Sequence, residues 1–114
     1  RISSEHLAAG RSLLIFPEDP AGRISERTGM RPFKTGFAHL GLRHHQDTGR
    51  SMPFYPVAVN RRRRTIRVGV AVRYNVAAPE GAERRRVAHT LETIIAGMLT
   101  EDSPHTELGI RATR

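Results

Sequence analysis

The first strong apolar run in the chain is Leu13-Leu14-Ile15-Phe16, closed by Pro17 and Glu18. Four large apolar residues in succession predict a strand over about Ser12 to Phe16, buried on both faces as strands under helices in a parallel sheet are. Pro17 has no backbone donor and biases Phe16 towards extended geometry, so the strand ends there. Glu18 is then the first residue past the carboxyl end of a central strand, the edge where open α/β sheets bind ligands. A carboxylate placed there needs a partner, because burying it unpaired is costly. A strand-terminating turn with a solvated glutamate is the plainer alternative.

Around this run the pattern alternates between helix and strand. Ile2 to Ala9 reads as the end of a helix stopped by Gly10. Asp19 to Arg31, with Pro20, Gly22 and Gly29, is a loop longer than usual connections, as binding or mobile segments are. Pro32 opens a predicted helix from about Phe33 to His45, with Phe33, Phe37, Leu40 and His44 on one stripe. Gly36 and Gly41 inside it cost roughly 1 kcal/mol each against alanine, which points to close approach of another backbone or a ligand. After the polar turn Asp47 to Arg50, Pro53 to Val59 reads as a second buried strand. Pro56 removes a ladder donor and implies an edge, a bulge or a later start.

Asn60 and Arg61-Arg62-Arg63-Arg64 form a hairpin-like connection to a third strand, Thr65 to Tyr74. Ile66, Val68, Val70 and Val72 share one of its faces, and it is expected to run antiparallel to the second strand with one face exposed. Val76 to Pro79 is a linker. Gly81 to about Thr100 is strongly helical, with Val87, Leu91, Ile94, Ile95, Met98 and Leu99 on one face and Arg84, Arg85, His89 and Glu92 on the other. The order helix, strand, helix, strand, strand, helix defines an α/β fold, a layered sheet with flanking helices. Its strands are few for a free-standing sheet, and the chain opens on Arg1 without an initiator methionine, so missing strands at the amino end are expected. Residues 1–103 form the expected domain portion and 104–114 a tail.

Charge narrows the partners. The formal net charge of +8 is carried almost wholly by arginine, with Lys34 the only lysine. Such a balance favours phosphorylated small molecules, acidic lipid headgroups or nucleic acid. Arg61 to Arg64 is the strongest feature and suits an anionic membrane surface, with a solvated turn as the alternative. Aromatics make up 5% of residues and none interleaves the arginines, which removes stacking platforms and disfavours nucleic acid. No stretch spans a bilayer or resembles a signal peptide, and there is no cysteine. The six histidines show no ligand-type spacing, so no metal is expected, and no Gly-x-Ser-x-Gly elbow occurs. Lys34 and Thr35, in the first turn of the expected helix, suit an anion without forming a P-loop.

Three stretches in order resemble the glycerolipid acyltransferase family, which includes lysophosphatidate and glycerol-phosphate acyltransferases. Gly10 to Glu18 resembles its third motif, a strand ending in Phe-Pro-Glu-Gly. Arg31-Pro32-Phe33-Lys34-Thr35-Gly36-Phe37 resembles its Pro-Phe-Lys-x-Gly helix start, and Met52 to Val59 its Pro-x-x-Pro-Val strand, followed by Ile66 to Gly69. The likeness spans residues from about 5 to 75. It departs at Asp19, where the family has glycine, and at Pro20-Ala21, where it has Thr-Arg; Arg23 lies two residues beyond the usual arginine.

The family's catalytic His-x-x-x-x-Asp and its second motif have no counterpart, so the chain resembles the carboxyl-terminal part of an acyltransferase domain, with no catalytic residue and no cofactor of its own. The resemblance implies transfer of an acyl group from acyl-CoA or an acyl-carrier protein to a glycerolipid-type hydroxyl in phospholipid biosynthesis. It implies that Pro17, Glu18 and Arg23 bind and orient the acceptor, with Lys34 near its phosphate and Pro53 and Pro56 shaping the sheet edge beside the acyl donor. The expected location is cytoplasmic, peripheral at the inner membrane face. The rival expectation is a non-catalytic basic module that binds anionic membrane surfaces through Arg61, Arg62, Arg63 and Arg64.

Overall fold

Helix α3 (Glu80–Leu99) is the platform of the fold. Pro79 precedes it with extended ψ, and Glu80 and Glu83 place negative charge in its first turn, where the helix dipole favours it. Its apolar stripe is buried as its spacing requires, with Val87 and Met98 at 0% exposure and Leu91 at 5%. The computed structural model describes residues 2–100 and the backbone of 106–107. The tail expected over 104–114 lies outside the described residues, apart from a two-residue strand.

Against α3 lie two short antiparallel sheets, which with the helices make a small α/β unit. One pairs β1 (Pro53–Phe54) with β4 (Val72–Arg73); the other runs β2 (Val57–Asn60), β3 (Thr65–Val68), β5 (Thr106–Glu107). No strand pair among them is parallel. The expected second and third strands are thus each divided in two. The breaks face each other: Gly69 N–H donates to Pro56 O at 2.9 Å, and Pro56 has no N–H to return. A Cβ at Gly69 would lie 2.9 Å from Pro56 Cγ, so glycine is required where the chain changes sheet. The break also rotates the chain, leaving Val70 exposed at 73% while Val72 is buried at 7%. Val70 and Val72 therefore do not share a face, contrary to the simple alternation.

The core is Ala38, Met52, Phe54, Val72, Tyr74, Val87 and Leu91, with Phe33, Phe37, Leu40 and Leu42 packed half-buried against it. Phe37 meets Phe54 edge to face at 5.9 Å between ring centroids. Helix α1 (Ile2–Ala8) ends as expected before Gly10, whose N–H bonds Leu7 O. Helix α2 (His39–Thr48) begins later than the pattern suggests, after a single 3₁₀ turn at Gly36–Ala38, because Pro32 to Lys34 are extended. It also runs further, taking in Asp47 and Thr48 before Gly49 caps it with φ of 74°. Gly41 is the close approach its position implied: a Cβ there would lie 2.7 Å from Tyr74 Cβ. Gly36 has nothing within 4 Å of such an atom.

The largest correction concerns Ser12 to Phe16. This segment is neither a strand nor buried: Leu14 is 73% and Phe16 80% exposed. An apolar run becomes a buried strand only beside another strand, and no described element pairs with it.

Candidate functional site

What does pair lies immediately after that run. Asp19 N–H donates to Pro32 O and Lys34 N–H to Pro17 O, both at 2.8 Å, which sets Glu18 opposite Phe33 in an isolated antiparallel bridge. The bridge closes the loop between them. Inside the loop, Ala21 N–H bonds Asp19 Oδ1 at 3.0 Å and Gly22 N–H bonds Asp19 O at 2.9 Å, so the Asp19 side chain builds the turn itself. Ser25 N–H donates to Met30 O at 2.7 Å, and Thr28 and Met30 N–H groups are held by the Ser25 and Thr28 hydroxyls. The Glu18 carboxylate accepts from Arg31 N–H at 2.7 Å. Thus Glu18 has a partner, but it is the backbone of its own loop.

The loop and α3 flank an open cleft of about 270 Å³. Arg23, Arg27 and Arg31 line it together with Ser25 and Thr28, while Glu92 and Ala96 of α3 form its opposite wall. Glu92 Oε1 accepts from Phe33 N–H at 3.3 Å and ties the loop to the helix. The Arg31 Nε–H is buried with no partner among the described residues. Three arginines against one glutamate leave the lining of this opening basic, which suits a phosphate or carboxylate.

Of the residues singled out from sequence, Arg23 lines this cleft; Pro17 and Glu18 form the base of its loop. Lys34 is exposed and joins through its backbone alone. Pro53 and Pro56 stand elsewhere, Pro53 in β1 opposite Arg73 and Pro56 fully buried at the sheet break. Arg61 to Arg64 form the exposed turn of the β2–β3 hairpin. Arg27, Arg31 and Glu92 were not anticipated, although arginines at 23, 27 and 31 recur every fourth residue through the loop.

Two further side-chain pairs also escaped the sequence. His39 Nδ1 lies 2.8 Å from Glu80 Oε2 at the surface, joining the starts of α2 and α3. Glu80 precedes Glu92 by twelve residues, about 18 Å along a helix, so this pair does not border the cleft. Glu83 is buried at 2% exposure, takes two bonds from Arg86 at 2.8 and 2.6 Å, and accepts from Asn75 N–H at 2.7 Å. The Arg86 hydrogen bond holds its carboxyl below the ordinary value against the opposing effect of burial, aided by Asn75. Beside it, burial and then the charges of Glu80 and Glu83 push the Tyr74 hydroxyl up.

No histidine lines the cleft, and among the described residues no three His, Cys, Asp or Glu side chains gather as a metal site. None of the described helices is long and apolar enough to cross a membrane. Comparison with family profiles, with curated proteins and with solved structures finds no match for this chain.

Proposed function

We propose that this chain is the carboxyl-terminal part of an acyltransferase domain and that its arginine-lined cleft holds the anionic head of a glycerolipid-type acceptor. The acyl group would come from acyl-CoA or an acyl-carrier protein. One observation carries the reading: Pro17-Glu18 and Pro32 to Lys34, two stretches that bear the family resemblance, lie side by side and close the loop that lines the cleft. Arg23 lines the cleft, which supports assigning it the role of the family arginine two residues earlier. The Asp19 carboxylate is engaged by Ala21 N–H within the loop, and Asp19 is not among the residues that line the cleft.

The chain then supplies acceptor binding, and the general base on the acceptor hydroxyl comes from a His-x-x-x-x-Asp ahead of Arg1, because a base must lie within hydrogen-bond reach of the proton it takes.

Titration of this chain with glycerol 3-phosphate, followed by backbone amide NMR, tests the binding half. Shifts confined to residues 23–31 and the facing turn of α3, weakened about tenfold in Arg23→Gln, are expected for loss of one charge-assisted contact. Absence of shifts at millimolar ligand, or shifts indifferent to Arg23→Gln, would remove the acceptor site. The catalytic half fails if the reading frame for about one hundred residues upstream, a domain's length, encodes no His-x-x-x-x-Asp.

A further inference from the structure

The β2–β3 hairpin turns its aliphatic face away from the helix. Its register sets Val57 opposite Val68 and Val59 opposite Ile66, so these four share one face. The Gly69 to Pro56 hydrogen bond continues that register by one residue, and exposed Tyr55 and Val70 flank the break just beyond it. The other face, bearing Ala58, Thr65, Arg67 and Gly69, is the one beneath α3: Arg67 donates to Met98 O at 2.8 Å, and a Cβ on Gly69 would lie 3.1 Å from Ile94 Cγ2. The apolar side is therefore turned away from the helix. Tyr55, Val59 and Val70 are 58%, 56% and 73% exposed, and Val57, Ile66 and Val68 are half-buried and take no part in the core.

At the tip of this same face stand Arg61, Arg62, Arg63 and Arg64, all exposed, and no acidic residue occurs between Tyr55 and Val70. We infer that the hairpin is a membrane-docking element, with its aliphatic face resting at the boundary between headgroups and acyl chains of an anionic bilayer and its arginine turn on lipid phosphates. The occupant follows from the combination. Four clustered positive charges select an anionic partner, and the surface next to them is aliphatic and β-branched, which suits the apolar layer of a membrane. A nucleic acid needs a polar, stacking surface there, and Tyr55 alone does not make one.

Depth is limited by the backbone. β2 is an edge strand, and its outward N–H and C=O groups cannot leave water for hydrocarbon. The hairpin accordingly lies in the interface and does not insert. This inference stands on the hairpin alone and does not depend on the acyltransferase reading.

The chain has no tryptophan, so Val59→Trp places a single indole fluorophore on the proposed face. Vesicles of phosphatidylcholine with one quarter phosphatidylglycerol should shift its emission to the blue and sediment with the protein, whereas pure phosphatidylcholine should do neither. Each basic residue near an anionic surface raises partitioning about fivefold, so changing Arg61 to Arg64 together to glutamine should lower it on the order of a hundredfold or more. Val59→Asp should lower it about tenfold with the arginines intact, since it removes apolar contact and adds a repelling charge. Both variants alter exposed positions and should melt with the parent.

The inference is overturned if anionic vesicles do not bind at low salt, or if binding survives loss of the four arginines. It also fails if the indole emission and Val59→Asp show the face uninvolved, or if the emission is already shifted in a concentration-dependent dimer without lipid. Tighter binding of duplex DNA than of vesicles at equal salt would overturn it as well.

Discussion

Leu13 to Phe16 and the apolar stripe of α3 are similar in hydrophobicity and opposite in fate. Val87 and Met98 are fully buried, while Leu14 and Phe16 stand 73% and 80% exposed. The difference lies in what each has to pack on. A helix satisfies its own backbone and needs only a surface for one face, which β1, β4 and the turn before α2 provide. A strand needs a neighbouring backbone before it can be buried, and Leu13 to Phe16 has none among the described residues. Each exposed Leu or Phe forgoes about 1.5–3 kcal/mol of burial. Apolar character thus states a demand that only a partner fulfils.

The sharpest way to break this contrast is Leu91→Ala. It removes a side chain that is 5% exposed between α3 and the sheets, and should cost about 2–5 kcal/mol by chemical denaturation. Glu83→Gln comes next, at about 1–3 kcal/mol at neutral pH, because a buried acceptor of charge-assisted bonds is weakened. Its pH dependence is the clearer reading. The folded carboxyl sits below its ordinary value of about 4.5, so its contribution is complete above that pH and disappears as pH falls through the folded-state value. Melting followed down through that range should show the parent losing more stability than Glu83→Gln. The smallest effect belongs to the other region: Phe16→Ser should change stability by no more than about 0.5 kcal/mol, as exposed positions do. A loss comparable with that of Leu91→Ala would erase the distinction.

Much of the framework is legible in the chain. The period of Val87, Leu91, Ile94 and Met98 defines α3 to within one residue at each end. Pro56 announces the interrupted strand, and Gly41 the tight contact that Tyr74 makes. The cleft was legible only in part. Arg23 and the base of the loop were identifiable, but Arg27, Arg31 and Glu92 converge through the bridge at Glu18 and Phe33, a contact that no local pattern encodes.

By itself, then, the sequence determined α3, the end of α1, the hairpin with the interruption at Pro56, the arginine turn and the charge, because these follow from local periodicity and from what proline and glycine allow. Only the tertiary structure decided which side of the hairpin is inside. Alternation marked two faces, and the aliphatic one was the natural choice for burial. The structure turns it outward and sets the other face under α3, where Arg67 donates to Met98 O near the end of the helix. It also decided that Leu13 to Phe16 is left uncovered, since burial belongs to a pair of surfaces and a sequence describes one at a time.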